Sequence, residues 1–339
     1  MPGQGVTIGV DLGGTKLVAA VVDGAGRPSP PQRWPARVTH YAEALDAISD
    51  LVAGLRRVAR GRGEDVVAVG VAAAAFLTAD RARVRQATNL AGWRDRPFRA
   101  DLSERLGLPV VIENDADAAV WGEYTHGAGQ EERCLVMATV GTGIGGGIVI
   151  GGHLITGGSG LAGEFGHLQV VADGLECGCG ARGCLELYAS GTALVRFARA
   201  AAAEPADDAG PLLARAGGEL ERIDGPLITA LAIDGDPLAR RALADLGQWV
   251  GRGLAQVATV LDPSMVLIGG GLTDAAGDLV VGPARAEFAA CASIRAVRPV
   301  PAVRRAALGN AAGLVGAATL ASVAGKRSKP HESEMVTRW

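Results

Sequence analysis

Three cysteines within eight positions constrain this chain more than any other feature. Cys177, Cys179 and Cys184 follow the spacing C-x-C-x4-C, with Gly178, Gly180 and Gly183 between them. Glycines let a backbone double back so that three sulfurs aim at one point, and His167, ten residues earlier, completes a tetrahedral set. Three thiolates and one imidazole make a closed Zn2+ site with no position left for water, so such a metal is structural. The other reading is a disulfide with a spare thiol, which needs an oxidising compartment. Met1 to Gly5 leads straight into a strand-like run without a signal peptide, so reduced thiols and a cytoplasmic location are expected. The same stretch, 164–186, carries Glu164, Glu176 and Glu186, none of which the metal needs as a ligand.

A length of 339 residues with 48% hydrophobic content suffices for two domains. A net charge of -3 gives no electrostatic footprint for nucleic acid, and no apolar run approaches the ~18 residues that span a bilayer. A small-molecule partner is expected, with no nucleic acid and no membrane. Cys134 and Cys291 stand alone and read as buried, reduced thiols. The fifty glycines are unusual, and they cluster, notably over 141–158, as in loops that bring backbone N–H groups close to a ligand.

Along the chain, Val6–Asp11 reads as a buried strand, Gly13-Gly14-Thr15-Lys16 as a tight turn, and Leu17–Val22 as the returning strand. Such a bend can present N–H groups to a phosphate, or be a plain hairpin. Helical spacing of Leu45, Ile48, Leu51, Val52, Leu55 and Val58 predicts a core-facing helix over about 41–60. Val66–Val71 is apolar throughout, as a parallel strand covered on both faces must be. A helix over 97–106 and a short strand at 110–112 follow, ending in Glu113-Asn114-Asp115. Asp115 therefore lies at a strand's carboxyl end, where open α/β sheets bind ligands, although Asn and Asp there also cap helices. Leu135–Val140 leads into GTGIGGG, formally G-x-G-x-x-G. That fingerprint must open a helix to bind a dinucleotide, and the β-like run Ile148-Val149-Ile150 after it predicts a second glycine hairpin instead. Helices are expected at 188–203, 237–260 and 307–321, a strand at 265–268 entering Gly269-Gly270-Gly271, and a solvated tail from Lys326.

DLGGTK, ENDA, GTGIGGG, GEFGH and CGCGARGCLE, in this order, resemble the ROK family and within it are similar to the bacterial, ATP-dependent glucokinases; the likeness runs from Val6 to about Ala321. The resemblance implies an α/β protein of the actin-like ATPase (RNase H-like) fold, with two α/β domains around a cleft and a zinc-stapled loop. The small domain would take 1–118 with 308–325, and the large one 119–307 with the zinc loop 164–186, leaving 326–339 as a disordered tail. It implies a hexose kinase of glycolysis that phosphorylates glucose at the 6-hydroxyl, with ATP, Mg2+ and a structural Zn2+, in a homo-oligomer (dimer or tetramer). Asp115 would be the base. Asn89, Asn114, Asp115, Glu164, His167 and Glu186 would hold the sugar. Asp11, Gly13, Gly14, Thr15, Lys16, Gly141, Thr142, Gly143 and Gly270 would serve the nucleotide and its Mg2+. His167, Cys177, Cys179 and Cys184 would bind zinc, His167 using its second ring nitrogen on the sugar.

Two departures from the family pattern bear on turnover. Ala72 and Ala75 in VAAAAFLT stand where glycines are expected, which would strain any position with positive φ. ENDAD places Asp117 two residues from Asp115 where an Asn is expected, adding a like charge that would raise the base's pKa. Alternative readings are a kinase for mannose or an N-acetylhexosamine, a polyphosphate donor, or a sugar-binding regulatory protein. Nothing resembling a DNA-binding helix-turn-helix precedes Val6.

Overall fold

The computed structural model describes residues 5–14, 16–87, 92–203, 210–294 and 296–327. The chain forms two compact units, Met1–Ala118 with Gly313–Trp339, and Ala119–Ala312.

In the first unit β1 (Gly5–Leu12) turns back antiparallel into β2 (Leu17–Val22), and β3 (Gln32–Arg33) extends that edge. Helix α1 (Tyr41–Gly61) opens with Glu43 accepting from the N–H groups of Thr39 and His40, and it buries Leu45, Ile48, Leu51, Val52 and Leu55 as its spacing predicts. Val58, the last residue of that stripe, is exposed. Strand β4 (Asp65–Ala73) pairs parallel with β1; a small hairpin of β5 (Phe76–Leu77) and β6 (Val84–Gln86) precedes α2 (Phe98–Leu106) and β7 (Val110–Asn114). The sheet order is β3-β2-β1-β4-β7.

The chain then enters α3 (Asp115–His126), and the second unit repeats the same plan. Strands β8 (Cys134–Val140), β9 (Ile144–Ile150) and β10 (His153–Leu154) form an antiparallel meander. Helices α4 (Glu186–Ala189), α5 (Gly191–Ala203), α6 (Gly210–Arg215), α7 (Gly225–Asp234) and α8 (Pro237–Leu261) follow. Then β11 (Met265–Gly269) pairs parallel with β8, α9 (Gly271–Ala276) and α10 (Asp278–Cys291) cover the sheet, and β12 (Ala302–Arg305) joins β11. The order β10-β9-β8-β11-β12 matches the first sheet: three antiparallel strands, then two added in parallel.

The last helix, α11 (Ala312–Arg327), packs against the first sheet. Gly9 and Gly70 are register partners on β1 and β4, and both are glycine because the α11 backbone comes so close. A Cβ on Gly70 would lie 1.9 Å from the Ala317 carbonyl oxygen, and one on Gly9 2.2 Å from that of Leu314.

The structure corrects several expectations. The helix expected at 307–321 begins at Ala312, because Gly309 takes φ +53 and 309–311 form a 3-10 turn. The single helix expected at 188–203 is broken at Ser190, which is extended. The polar stretch before 237 holds α6 and α7, and α7 and α8 are each capped by an aspartate ahead of a proline, Asp224 accepting from Leu227 N–H and Asp236 from Ala239 N–H. Cys291 is exposed and Cys134 half-buried, not both buried. Neither Ala72 nor Ala75 has positive φ, so neither is strained. The tail from residue 328 lies outside the described residues.

The close approach of α11 sets an expected outcome. Gly70→Ala should cost roughly 1–3 kcal/mol through overpacking against rigid backbone, while Gly24→Ala, where a Cβ meets nothing within 4 Å, should be near neutral. Paired thermal melts check this, and equal melting temperatures would refute the contact.

Candidate active site

Strand β7 delivers Asn114 and α3 begins at Asp115, so the step from sheet to helix fixes both side chains. Asn114 Oδ1 caps the helix, accepting from the N–H groups of Ala116 (2.9 Å) and Asp117 (3.1 Å), and its Nδ2 donates to the Ala75 carbonyl at 3.4 Å. Asp115 Oδ1 accepts from Ala116 N–H at 3.0 Å. Asn114 and Asp115 are half-buried, while Glu113 (5% exposed) and Asp117 (2%) on either side are buried. A single guanidinium answers those two. Arg81 Nε lies 2.6 Å from Glu113 Oε1 in a charge contact, and Nη2 donates to Asp117 Oδ2 at 3.0 Å. Burial pushes the Glu113 carboxyl up, and Arg81 with the Asn114 N–H pulls it back. The like charge expected of Asp117 is thus matched by a cation.

Each glycine hairpin is closed by its first glycine, in a four-residue turn at 13–16 and a three-residue turn at 141–143. Gly13 N–H donates to Lys16 O and Gly141 N–H to Gly143 O, each at 3.0 Å, so the first glycine of each turn closes the turn. A Cβ on Gly141 would meet nothing within 4 Å, which leaves the hairpin open to close approach by a ligand. Helix α5 anchors that hairpin: Gly191 N–H donates to Gly141 O (2.8 Å) and Thr192 Oγ1 to Thr142 O (3.0 Å), which the break at Ser190 makes possible. Burial pushes the Asp11 carboxyl up, and Lys16 Nζ, 3.3 Å away, opposes this. Gly270 (φ +95) opens α9, and a Cβ there would lie 2.5 Å from Val140 O, so no other residue fits. The GTGIGGG stretch runs into strand β9, in agreement with the rejection of a dinucleotide fingerprint.

His167, Cys177, Cys179 and Cys184 converge, their ligand atoms all within 4.8 Å of one another. Tetrahedral zinc with Zn–S bonds of about 2.3 Å puts thiolate sulfurs about 3.7 Å apart. Cys179 Sγ and Cys184 Sγ are 3.7 Å apart, as are Cys177 Sγ and His167 Nδ1, and no disulfide forms. The donor set and its edges fit a structural zinc. Glu186 adjoins this cluster, with Oε1 3.2 Å from Cys177 Sγ and 3.7 Å from His167 Nδ1. Its other oxygen, Oε2, lies 3.3 Å from where a Cβ on Gly143 would be. One carboxylate thus touches both the metal cluster and the glycine hairpin. Burial pushes Glu164 up, opposed by His167 and reinforced by Glu186. Glu176 instead pairs at the surface with Arg182.

Asn89 and Thr15 lie outside the described residues. Sequence reasoning missed Arg81 and Glu123. Glu123 is fully buried and accepts from the N–H groups of Ala128, Ala307 and Leu308. An "arginine in a turn" carries no spacing signal, but the charges Glu113 and Asp117 on a buried strand-helix step did require a cation somewhere.

The model of the ROK family matches residues 7–324. The chain belongs to the ROK family. The glucokinase of Streptomyces coelicolor is 46% identical over 318 residues, covering 94% of this chain and 98% of that protein. The crystal structure of a ROK family glucokinase from Streptomyces griseus in complex with glucose and AMPPNP is similar with a TM-score of 0.84 at 46% identity, covering 94% of this chain and 100% of that one. An N-acetylmannosamine kinase of Citrobacter koseri is 35% identical, covering 93% of this chain and 98% of that protein. The fold is that of the actin-like ATPases, as the sequence motifs imply. No helix among the described residues is long and apolar enough to cross a membrane.

Protein purified without chelator should contain one Zn2+ per chain, and Cys179→Ser should lose metal and stability together. Elemental analysis and a thermal melt check both, and metal-free native protein would refute the site.

Proposed function

We propose that this chain is an ATP-dependent hexose kinase that transfers the γ-phosphoryl group of ATP to the 6-hydroxyl of glucose, giving glucose 6-phosphate and ADP. The likeness to the Streptomyces griseus glucokinase, solved with glucose and AMPPNP, carries this reading. Asp115 is the base: its carboxylate takes the proton of the 6-hydroxyl as that oxygen bonds to the γ-phosphorus and the bond to ADP breaks. Asn114 and Asn89 orient the same sugar. Because Asn114 Oδ1 caps α3, its Nδ2, with only a 3.4 Å bond to Ala75 O, is the group it offers. Glu164, His167 and Glu186 hold the 1- and 2-hydroxyls, since carboxylates accept hydroxyl hydrogens strongly and in a fixed direction.

Gly13 to Lys16 and Gly141 to Gly143 receive the phosphates, and Gly270 lies beneath the nucleoside. Asp11, an oxygen donor, fits a water-held Mg2+, which when bound offsets phosphate charge. An ATP donor and reduced zinc-binding thiols support a cytoplasmic location, and the family resemblance leads us to expect a homo-oligomer. The N-acetylmannosamine kinase likeness favours a second reading, another hexose as acceptor. A coupled assay across a panel of hexoses and of ATP against polyphosphate decides between them.

Asp115→Asn keeps the shape and removes the base, so activity should fall by roughly 10²–10⁴-fold with glucose binding still measurable by calorimetry. Activity within a few-fold of wild type would remove Asp115 from this role. Glu164 provides a second check. It binds hydroxyls best as a carboxylate, and its elevated pKa means it is neutralised as pH falls before an ordinary glutamate, near pH 4.3, would be. The glucose KM should therefore rise in mildly acidic buffer, and Glu164→Gln should have a high KM that no longer responds to pH there.

A further inference from the structure

We propose that Arg81 is a positioning residue for this phosphoryl transfer: its guanidinium bridges Glu113 and Asp117, the two buried carboxylates flanking Asp115, and so fixes the strand-to-helix step that carries the base. The inference rests on the assignment of Asp115 as base.

Three carboxylates, Glu113, Asp115 and Asp117, fall within five residues, and two of them are buried. Unanswered, a buried carboxylate strongly destabilises the segment holding it. Arg81 meets one on each side of Asp115, at 2.6 Å and 3.0 Å, with its own side chain only 11% exposed. The fork of a guanidinium suits two acceptors, whereas a lysine ammonium is a point charge. The backbone gives independent support. Arg81 has φ +52, a left-handed conformation that is strained for an L residue and that glycine would adopt freely. The turn holding it there is specific: Arg81 N–H donates to Thr78 O (2.9 Å), while Asp80 Oδ1 accepts from Thr78 Oγ1 (2.6 Å) and Ala82 N–H (3.1 Å). A strained position occupied by a long cationic side chain is explained if the side chain is needed. The neighbouring Arg83 instead pairs with Asp95 at the surface.

The test compares Arg81→Met, Arg81→Lys, Asp117→Asn and the double variant Arg81→Met with Asp117→Asn, using Arg83→Met as control. Methionine keeps the stem and the backbone strain, so any change reports the guanidinium. Misplacing the base should lower kcat of Arg81→Met by roughly 10–100-fold, measured where melts show the protein folded, with the KM for ATP unchanged. Because Asp117 is one of the charges Arg81 answers, the double variant should recover about 5-fold or more of that loss. Arg81→Lys should stay impaired, since it cannot span both carboxylates, and it carries the test if Arg81→Met does not fold. Arg83→Met should match wild type. Wild-type kcat in Arg81→Met, full rescue by lysine, or no recovery in the double variant would each overturn the proposal. Asp115→Asn measured alongside keeps the two readings apart: if it stays active the base assignment fails, and if it alone is impaired only the positioning role fails.

Discussion

A carboxylate removed from water must be met by donors or cations, and this constraint organises much of the region described above. Glu113 and Asp117 are met by one guanidinium, and Glu123 by three backbone N–H groups. The second arrangement has a structural consequence. The chain returning after β12 is tied to α3 where Glu123 accepts the N–H groups of Ala307 and Leu308, before α11 begins at Ala312. Gly127 follows from the same contact, because a Cβ there would lie 2.1 Å from Glu123 Oε2. One buried side chain thus dictates a glycine four residues away and anchors a segment far along the chain.

The metal cluster applies the same logic to a loop with little core of its own. The stretch 164–186 has few buried apolar residues beyond Phe165, Leu185 and two of the cysteines. Four candidate ligands converging within 4.8 Å would, with a metal bound, supply the cross-links that packing cannot. Glu186 then begins α4 directly after Cys184-Leu185, so the placement of its carboxylate beside Gly143 is inherited from the metal cluster. The break at Ser190 follows, because α5 must start at the hairpin to bond Gly141 and Thr142. A metal bound at this cluster would in this way fix the position of Glu186 beside the hairpin.

What was legible in the sequence was whatever the chain states locally. Apolar runs gave β1, β4, β8 and β11, glycine pairs gave the hairpins, and the cysteine spacing gave the cluster. The rest depends on distant partners. Arg81 is far in sequence from Glu113 and Asp117 and sits in a turn without periodicity, so no local pattern announces it. Helix α10 contains Pro283 and was hidden by it, yet it packs so closely that Gly247 and Gly251 of α8 face its carbonyls at 2.5 Å and 2.4 Å from where a Cβ would sit. Helices α6 and α7 were obscured by composition, although the Asp-Gly-Pro start of α7 was readable.

Ala72 and Ala75 show how a local rule misleads when the backbone is not known. Read as replacements for glycine, they threaten strain. In the structure Ala72 is an ordinary strand residue paired with Asp11 and Glu113, packed with Ala118 and Ala317. It is fully buried, and even a Cβ added at Gly313 would meet its own only at an ordinary 3.6 Å. The neighbouring Gly70 has the true prohibition, because there it is the α11 backbone that approaches. The two positions differ by one turn of that helix, not by backbone conformation. Alanine is therefore compatible with a rigid β4, and β4 is what holds Asn114 at Ala73 in register at the end of β7. The departures from the family pattern thus fall on packing at Ala72 and on charge balance at Asp117, and each is answered by a contact within the same unit.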